Sequence, residues 1–236
     1  MFYIDWAYII LVLPAMAFAL WAQLRVNTTF TKYSKVATSR GVSGYDAARA
    51  ILDANGLQSV AIEHTPGSLT DHYDPKAKVL RLSDSVLDQT TAAAVGVAAH
   101  EAGHAVQHAT GYRPLAVRNA IVPICNFGSK LAIPLILIGI LFSAISPFFE
   151  NLAYVGVACF GLATLFQVVT LPTEFDASNR AMAAIASSGL LNAEESKAAK
   201  KVLSAAALTY VAALAVSLAQ LLRLLLLVAG NSNRRR

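Results

Sequence analysis

Four stretches of this 236-residue chain are apolar over about the length a bilayer demands, at roughly residues 6–24, 121–146, 152–171 and 203–229. A spanning helix needs about 20 mostly apolar residues, since hydrocarbon offers no partner to an unsatisfied peptide group. Trp6 and Trp21 bracket the first stretch at the spacing of interfacial anchors. Pro147 and Glu150-Asn151 mark the tip of a hairpin between the second and third. Lys130 lies inside the second, so its strictly apolar part begins at Leu131. Composition agrees: 56% of residues are hydrophobic and 14% charged, where globular proteins carry roughly a quarter charged. These values exclude a disordered chain, a coiled coil and an ordinary soluble enzyme. The net charge of +5 is that of a membrane protein with basic loops, so no nucleic-acid partner is expected. Cys125 and Cys159 sit in apolar stretches without a CxxC and read as small core residues.

The basic residues set the orientation. Met1 to Asp5 carry none, whereas Arg25, Lys32 and Lys35 follow the first apolar run, as in an uncleaved anchor with its N-terminus outside. Arg180, Lys197, Lys200 and Lys201 lie between the third and fourth stretches, and the hairpin tip has no basic residue. Both polar segments are therefore expected in the cytoplasm of a multi-pass cell-membrane protein. Arg234-Arg235-Arg236 would then fall outside, so either the fourth stretch does not fully cross or three arginines are tolerated there.

The segment 25–118 holds most of the polar sequence. The spacing of Ala47, Ala48, Ile51 and Leu52 predicts a helix over 43–55, with Ser43 as N-cap and Gly56 as stop. Residues 59–63 and 79–82 read as short strands, and 85–109 as an Ala-rich helix.

That last helix contains His100-Glu101-Ala102-Gly103-His104, an H-E-x-x-H. Imidazoles four residues apart lie on one helical face, so both can reach a single Zn²⁺. Glu101 stands beside the open coordination position, where a carboxylate can take a proton from water. The alanines around the motif make the helix apolar on most sides, and buried polar groups need partners, which a metal supplies. A catalytic zinc takes a third protein ligand. His108 lies about 12 Å along the axis from His100 on a straight helix, too far to share the ion. Glu174 is the better candidate: no basic residue stands three or four positions away, and the hairpin returns its segment to the side of His100. Asp176 and Arg180 read as an ordinary i,i+4 ion pair.

The runs LTDHYDP at 69–75, RLS at 81–83, AVGVAAHEAGHAVQH at 94–108, LPTEFDAS at 171–178 and ALTYVAA at 207–213 resemble the YugP-like neutral zinc metallopeptidases of bacterial membranes. The resemblance covers nearly the whole chain and implies a multi-pass zinc endopeptidase with a cytoplasm-facing site. It carries over His100 and His104 as metal ligands, Glu101 as the catalytic residue and Glu174 as third ligand. A more distant family has an Asp where Ser178 stands, so no carboxylate orients a ligand from that position.

The expected fold is mainly α, a multi-pass helical membrane protein of 3–4 spans with a small α+β zinc-peptidase domain. Its parts are an anchor (1–24), the α+β domain with the H-E-x-x-H helix (25–118), a transmembrane hairpin (119–171), a helix supplying the third ligand (172–202), and a C-terminal transmembrane helix with a basic tail (203–236). The expected partners are the bilayer and a peptide or protein substrate, and the cofactor is Zn²⁺. His72, Tyr73, Asn179, Arg180 and Tyr210 are candidate oxyanion donors. The strand at 79–82 is expected at a sheet edge, open to an extended substrate. Competing readings are an intramembrane site-2-type protease, a zinc hydrolase of non-peptide amides, and a zinc-stabilised scaffold without catalysis.

Overall fold

A computed structural model describes residues 5–233, so Arg234 to Arg236 lie outside the described residues. The described chain is mainly helical, with a small three-stranded sheet. Four helices are long and apolar enough to cross a membrane: Tyr8–Tyr33, Arg113–Phe142, Pro147–Ser188 and Ala193–Asn231. The chain divides into two compact units, one of residues 22–116 and 172–209, the other of 1–21, 117–171 and 210–236.

The first unit contains the sheet. The helix α1 (Leu13–Tyr33) follows a π-helical turn at Tyr8–Val12 and delivers Phe30 to this unit's core. Next comes α2 (Gly44–Ala54), capped as its sequence requires. The Ser43 hydroxyl accepts from Asp46 N at 3.1 Å, and the Asp46 carboxylate accepts from Ser43 N at 3.0 Å. Ala47, Ala48, Ile51 and Leu52 are buried.

The strands β1 (Ala61–Thr65), β2 (His72–Asp74) and β3 (Val79–Ser83) order as β1-β3-β2. β3 pairs parallel with β1, Ile62 opposite Leu80, and antiparallel with β2, Tyr73 opposite Leu80. The strand expected at the edge is thus the central one, and its backbone is already paired on both sides. The reason is β2, a three-residue strand too short to announce itself as an alternating pattern.

The Ala-rich helix also differs from expectation. α3 (Ala92–Ala109) starts seven residues later than 85. Ser83 O accepts from both Val86 N and Leu87 N at 2.9 Å, which holds the preceding residues in turns, and the Thr91 hydroxyl caps α3 by accepting from Ala94 N at 3.3 Å. Ala92 N donates to Val36 O at 2.9 Å, fixing the start of α3 to the segment after α1.

The remaining helices are α4 (Arg113–Phe142), α5 (Pro147–Ser188) and α6 (Ala193–Asn233). α5 runs without interruption through Pro172, a residue that removes a backbone donor and commonly kinks a helix. In the second unit the packing is that of helices in lipid, where small residues permit close approach. A Cβ on Gly139 would lie 2.6 Å from that of Ala153, and one on Gly156 would lie 2.8 Å from Ala132 O. Polar contacts here are few. Thr164 and Ser217 share a hydrogen bond of 2.7 Å, and Arg223 Nε reaches Asp5 Oδ2 at 3.1 Å with its guanidinium 5.0 Å from the Tyr8 ring centre.

Candidate metal centre

The residues singled out above fall on two helices of the sheet-bearing unit: His100, Glu101 and His104 on α3, and Glu174 on α5. α3 can be enclosed because its buried positions are small; Ala98, Ala99 and Ala102 are fully buried. Gly103 takes this furthest. A Cβ built on it would lie 2.7 Å from Ala177 O, closer than real side chains come to backbone. The two helices therefore touch backbone to backbone one residue before His104 and three residues after Glu174, which brings a carboxylate from α5 within reach of both imidazoles.

The three donor atoms lie within 4.8 Å of one another. Glu174 Oε2 is 3.3 Å from His100 Nε2 and 3.5 Å from His104 Nε2. The side chains are nearly enclosed, with 13%, 11% and 4% exposure for His100, His104 and Glu174. The imidazole rings meet edge to face, with centres 4.8 Å apart.

Hydrogen bonds behind the donors fix which nitrogens point forward. The Gln107 side chain, fully buried, donates through Nε2 to Thr173 O and to Asp176 Oδ2, both at 2.8 Å. Its Oε1 must then face His104 Nδ1, 2.9 Å away, as acceptor. His104 accordingly carries its proton on Nδ1 and presents Nε2 toward Glu174. His100 is held similarly, its Nδ1 lying 3.1 Å from Ser178 Oγ. A lone pair on His104 Nε2 beside an anionic carboxylate is repulsive, so either a proton or a metal cation belongs between them. The same pull sets the His104 pKa: burial pushes it down, but Glu174 and Glu101 outweigh burial and hold it above the ordinary histidine value. Two imidazole nitrogens and one carboxylate oxygen are also the donor set catalytic zinc takes. On donor chemistry and on charge, the residues fit that metal.

The Glu101 carboxyl is pushed above the ordinary glutamate range, chiefly by burial, against the attraction of His100 and His104 and with the repulsion of Glu174 and Asp71. A carboxyl whose pKa is raised holds a proton more readily than an exposed glutamate does.

His108 stands apart from the cluster, its Nδ1 bonded to the Tyr73 hydroxyl at 2.9 Å. Asp176 and Arg180 form the expected ion pair at 2.6 Å. Asp176 does more than that pairing suggested, since the same oxygen anchors Gln107. Sequence reasoning missed Gln107, although a lone amide three residues after His104 on an otherwise apolar helix was a visible signal. Ser178, noted as lacking a carboxylate, supplies a hydroxyl to His100 instead.

The comparisons with known proteins agree with this chemistry. Residues 8–229 match a family described as "Putative neutral zinc metallopeptidase". The chain is 46% identical over 220 residues to the "Putative membrane protease YugP" of Bacillus subtilis, covering 93% of this chain and 96% of that relative. No solved structure matches.

Proposed function

The chain belongs to this metallopeptidase family, and on that premise we propose that it is a membrane-bound zinc endopeptidase. His100, His104 and Glu174 would hold the metal in a small α+β domain, residues 25–118 completed by 172–202. Zinc bound there would polarise a scissile carbonyl and draw the pKa of a bound water toward ~7. Glu101 accepts the proton of the attacking water on its carboxylate and passes it to the leaving amine nitrogen. Gln107 and Ser178 hold the two imidazoles with Nε2 forward. The observation that carries this reading is the convergence of three donors with the His104 tautomer set by Gln107. An intramembrane protease needs its motif inside a span, and α3 is not among the four helices long and apolar enough to cross.

The site-bearing domain faces the cytoplasm in this reading. The basic residues that flank the spans support that orientation. So does the pairing of Asp5, before the first span, with Arg223, toward the far end of the last, which suits a fourth stretch that crosses fully. The substrates are peptide bonds of proteins, membrane proteins among them.

Glu101→Gln separates catalysis from metal binding. Casein cleavage by the purified protein should fall at least ~1,000-fold while zinc per chain stays at the wild-type value. Undiminished cleavage would remove Glu101 from the chemistry, and a scaffold without catalysis would show no cleavage in the wild type either.

A further inference from the structure

Two histidines one turn apart on α3 have opposite kinds of partner behind them. His104 Nδ1 faces an acceptor, Gln107 Oε1, at 2.9 Å. His108 Nδ1 faces a hydroxyl, that of Tyr73, also at 2.9 Å. Burial, with the Asp74 carboxylate adding to it, holds the Tyr73 phenol above its ordinary pKa, so it keeps its proton at neutral pH. His108 Nδ1 is the one acceptor that proton has among the described residues. Tyr73 therefore donates to Nδ1, and neutral His108 carries its own proton on Nε2. The rings also touch, with centres 5.8 Å apart, which fixes the imidazole plane. One histidine thus presents a lone pair and the next presents an N–H. The His108 ring is exposed, and no described residue pairs with its Nε2. Tying β2 to α3 uses Nδ1 alone and leaves that donor at the surface.

The place of this donor relative to the metal ligands gives it a use. His100, His104 and His108 follow at i, i+4 and i+8, a single stripe of α3. His108 lies about 6 Å along the axis beyond His104. The segment that carries Tyr73 follows the same stretch of helix. Behind burial, the Asp71 carboxylate is among the groups that raise the Glu101 pKa, so the chain passes Glu101 at Asp71 and reaches His108 at Tyr73. An extended peptide advances about 3.4 Å per residue. A peptide laid along the stripe, with its scissile carbonyl at the metal ligands, brings a backbone carbonyl about two residues away beside His108.

We propose that His108 is a substrate-binding residue, whose Nε2–H donates to that backbone carbonyl, and that Tyr73 is the positioning residue which sets its tautomer and ring plane. The proposal rests on the peptidase reading for the nature of the ligand. It adds that the substrate is an extended peptide, held beyond the scissile bond by its backbone and not by one particular side chain.

The test uses the full chain in mild detergent and an octapeptide cut at its central bond. His108→Phe keeps a ring and removes the donor. It should raise KM about 3- to 10-fold, the worth of one neutral hydrogen bond, with kcat within about twofold and zinc per chain unchanged. Tyr73→Phe should raise KM by a smaller factor, about 2- to 3-fold, and by nothing further in the His108→Phe background, since it acts through that ring. An unchanged KM in His108→Phe would overturn the proposal while leaving the peptidase reading intact. A kcat that falls together with zinc content would also overturn it, because His108 would then be a prop of the metal centre. Binding of the same octapeptide in the Glu101→Gln background separates the two readings. Affinity lowered about 3- to 10-fold there by His108→Phe supports the proposal even if the wild type cleaves nothing, a result that would count against the peptidase reading alone. Octapeptide affinity equal with and without His108 would overturn the proposal.

Discussion

The two units of the chain use polar side chains in opposite ways. In the spanning unit they come in small local groups: Thr164 with Ser217, and Asp5 with Arg223 and the Tyr8 amide. In the sheet-bearing unit they form a chain from Arg180 through Asp176 and Gln107 to His104. A small local group satisfies its own members and does not reach the metal-site donors. A connected chain transmits orientation, so a change at one end is felt at the donor nitrogen at the other. The difference teaches where function can be damaged without unfolding the protein.

The sharpest way to break this contrast is Gly103→Leu. Its side chain would collide with the backbone at Ala177, pushing α3 from α5 and separating Glu174 from the histidines. Zinc affinity should fall at least ~100-fold by chelator competition, with cleavage lost in parallel. In the spanning unit the largest expected effect is Arg223→Leu, which takes the guanidinium away from the partly buried Asp5 carboxylate and leaves it the Tyr8 amide. Thermal or denaturant unfolding should report a loss of about 3 kcal/mol, with zinc per chain unchanged. A change in zinc affinity there would erase the proposed division of labour.

Gln107→Met tests the chain itself. It takes the Gln107 donor from the Thr173 carbonyl and from Asp176, which keeps Arg180, and leaves His104 Nδ1 without its acceptor. Zinc affinity should drop about 10- to 100-fold while the far-ultraviolet spectrum is retained. Asp71 offers a smaller, pH-dependent effect. Burial raises its pKa despite the hydrogen bonds it accepts from Ser83 N at 2.7 Å and Ser83 Oγ at 3.0 Å. The folded state therefore holds that proton more tightly than the unfolded chain does. The stability from this group is present below about pH 3.9 and is lost as pH rises through the raised value. Wild type should lose stability over that window relative to Asp71→Asn, as read by unfolding at each pH. The smallest effect belongs to Thr164→Val, an isolated pair within the apolar helices. About 0.6 kcal/mol of stability should go, and zinc affinity should hold within twofold.

What was legible in the sequence divides along similar lines. The apolar runs announce the long helices by length alone. The α2 cap is written in Ser43, and the histidine spacing places both imidazoles on one helical face, while the part Asp46 plays in the cap was not read. Contacts that depend on how elements meet were not legible. β2 is three residues long, and only its pairing turns β3 from an edge into a centre. The start of α3 is set by tertiary bonds at Thr38 and Ala92, which compete with a continuous helical pattern from 85. Pro172 reads as a break, yet it lies within one helix. Gln107 lies on the legible helix, but its role depends on Thr173 and Asp176 from α5, 66 and 69 residues away. Gly103 looked like a spacer within the motif, and its need to be glycine is visible only against Ala177.

The central claim is that His100, His104 and Glu174 hold one zinc on which cleavage depends. The most direct test is zinc per chain in the detergent-purified wild type and in Glu174→Ala, with casein cleavage assayed on both. The account predicts one zinc and cleavage in the wild type, and the loss of both in the variant. A variant that keeps its zinc and its activity, or a wild type that holds no zinc under metal-replete conditions, would contradict it.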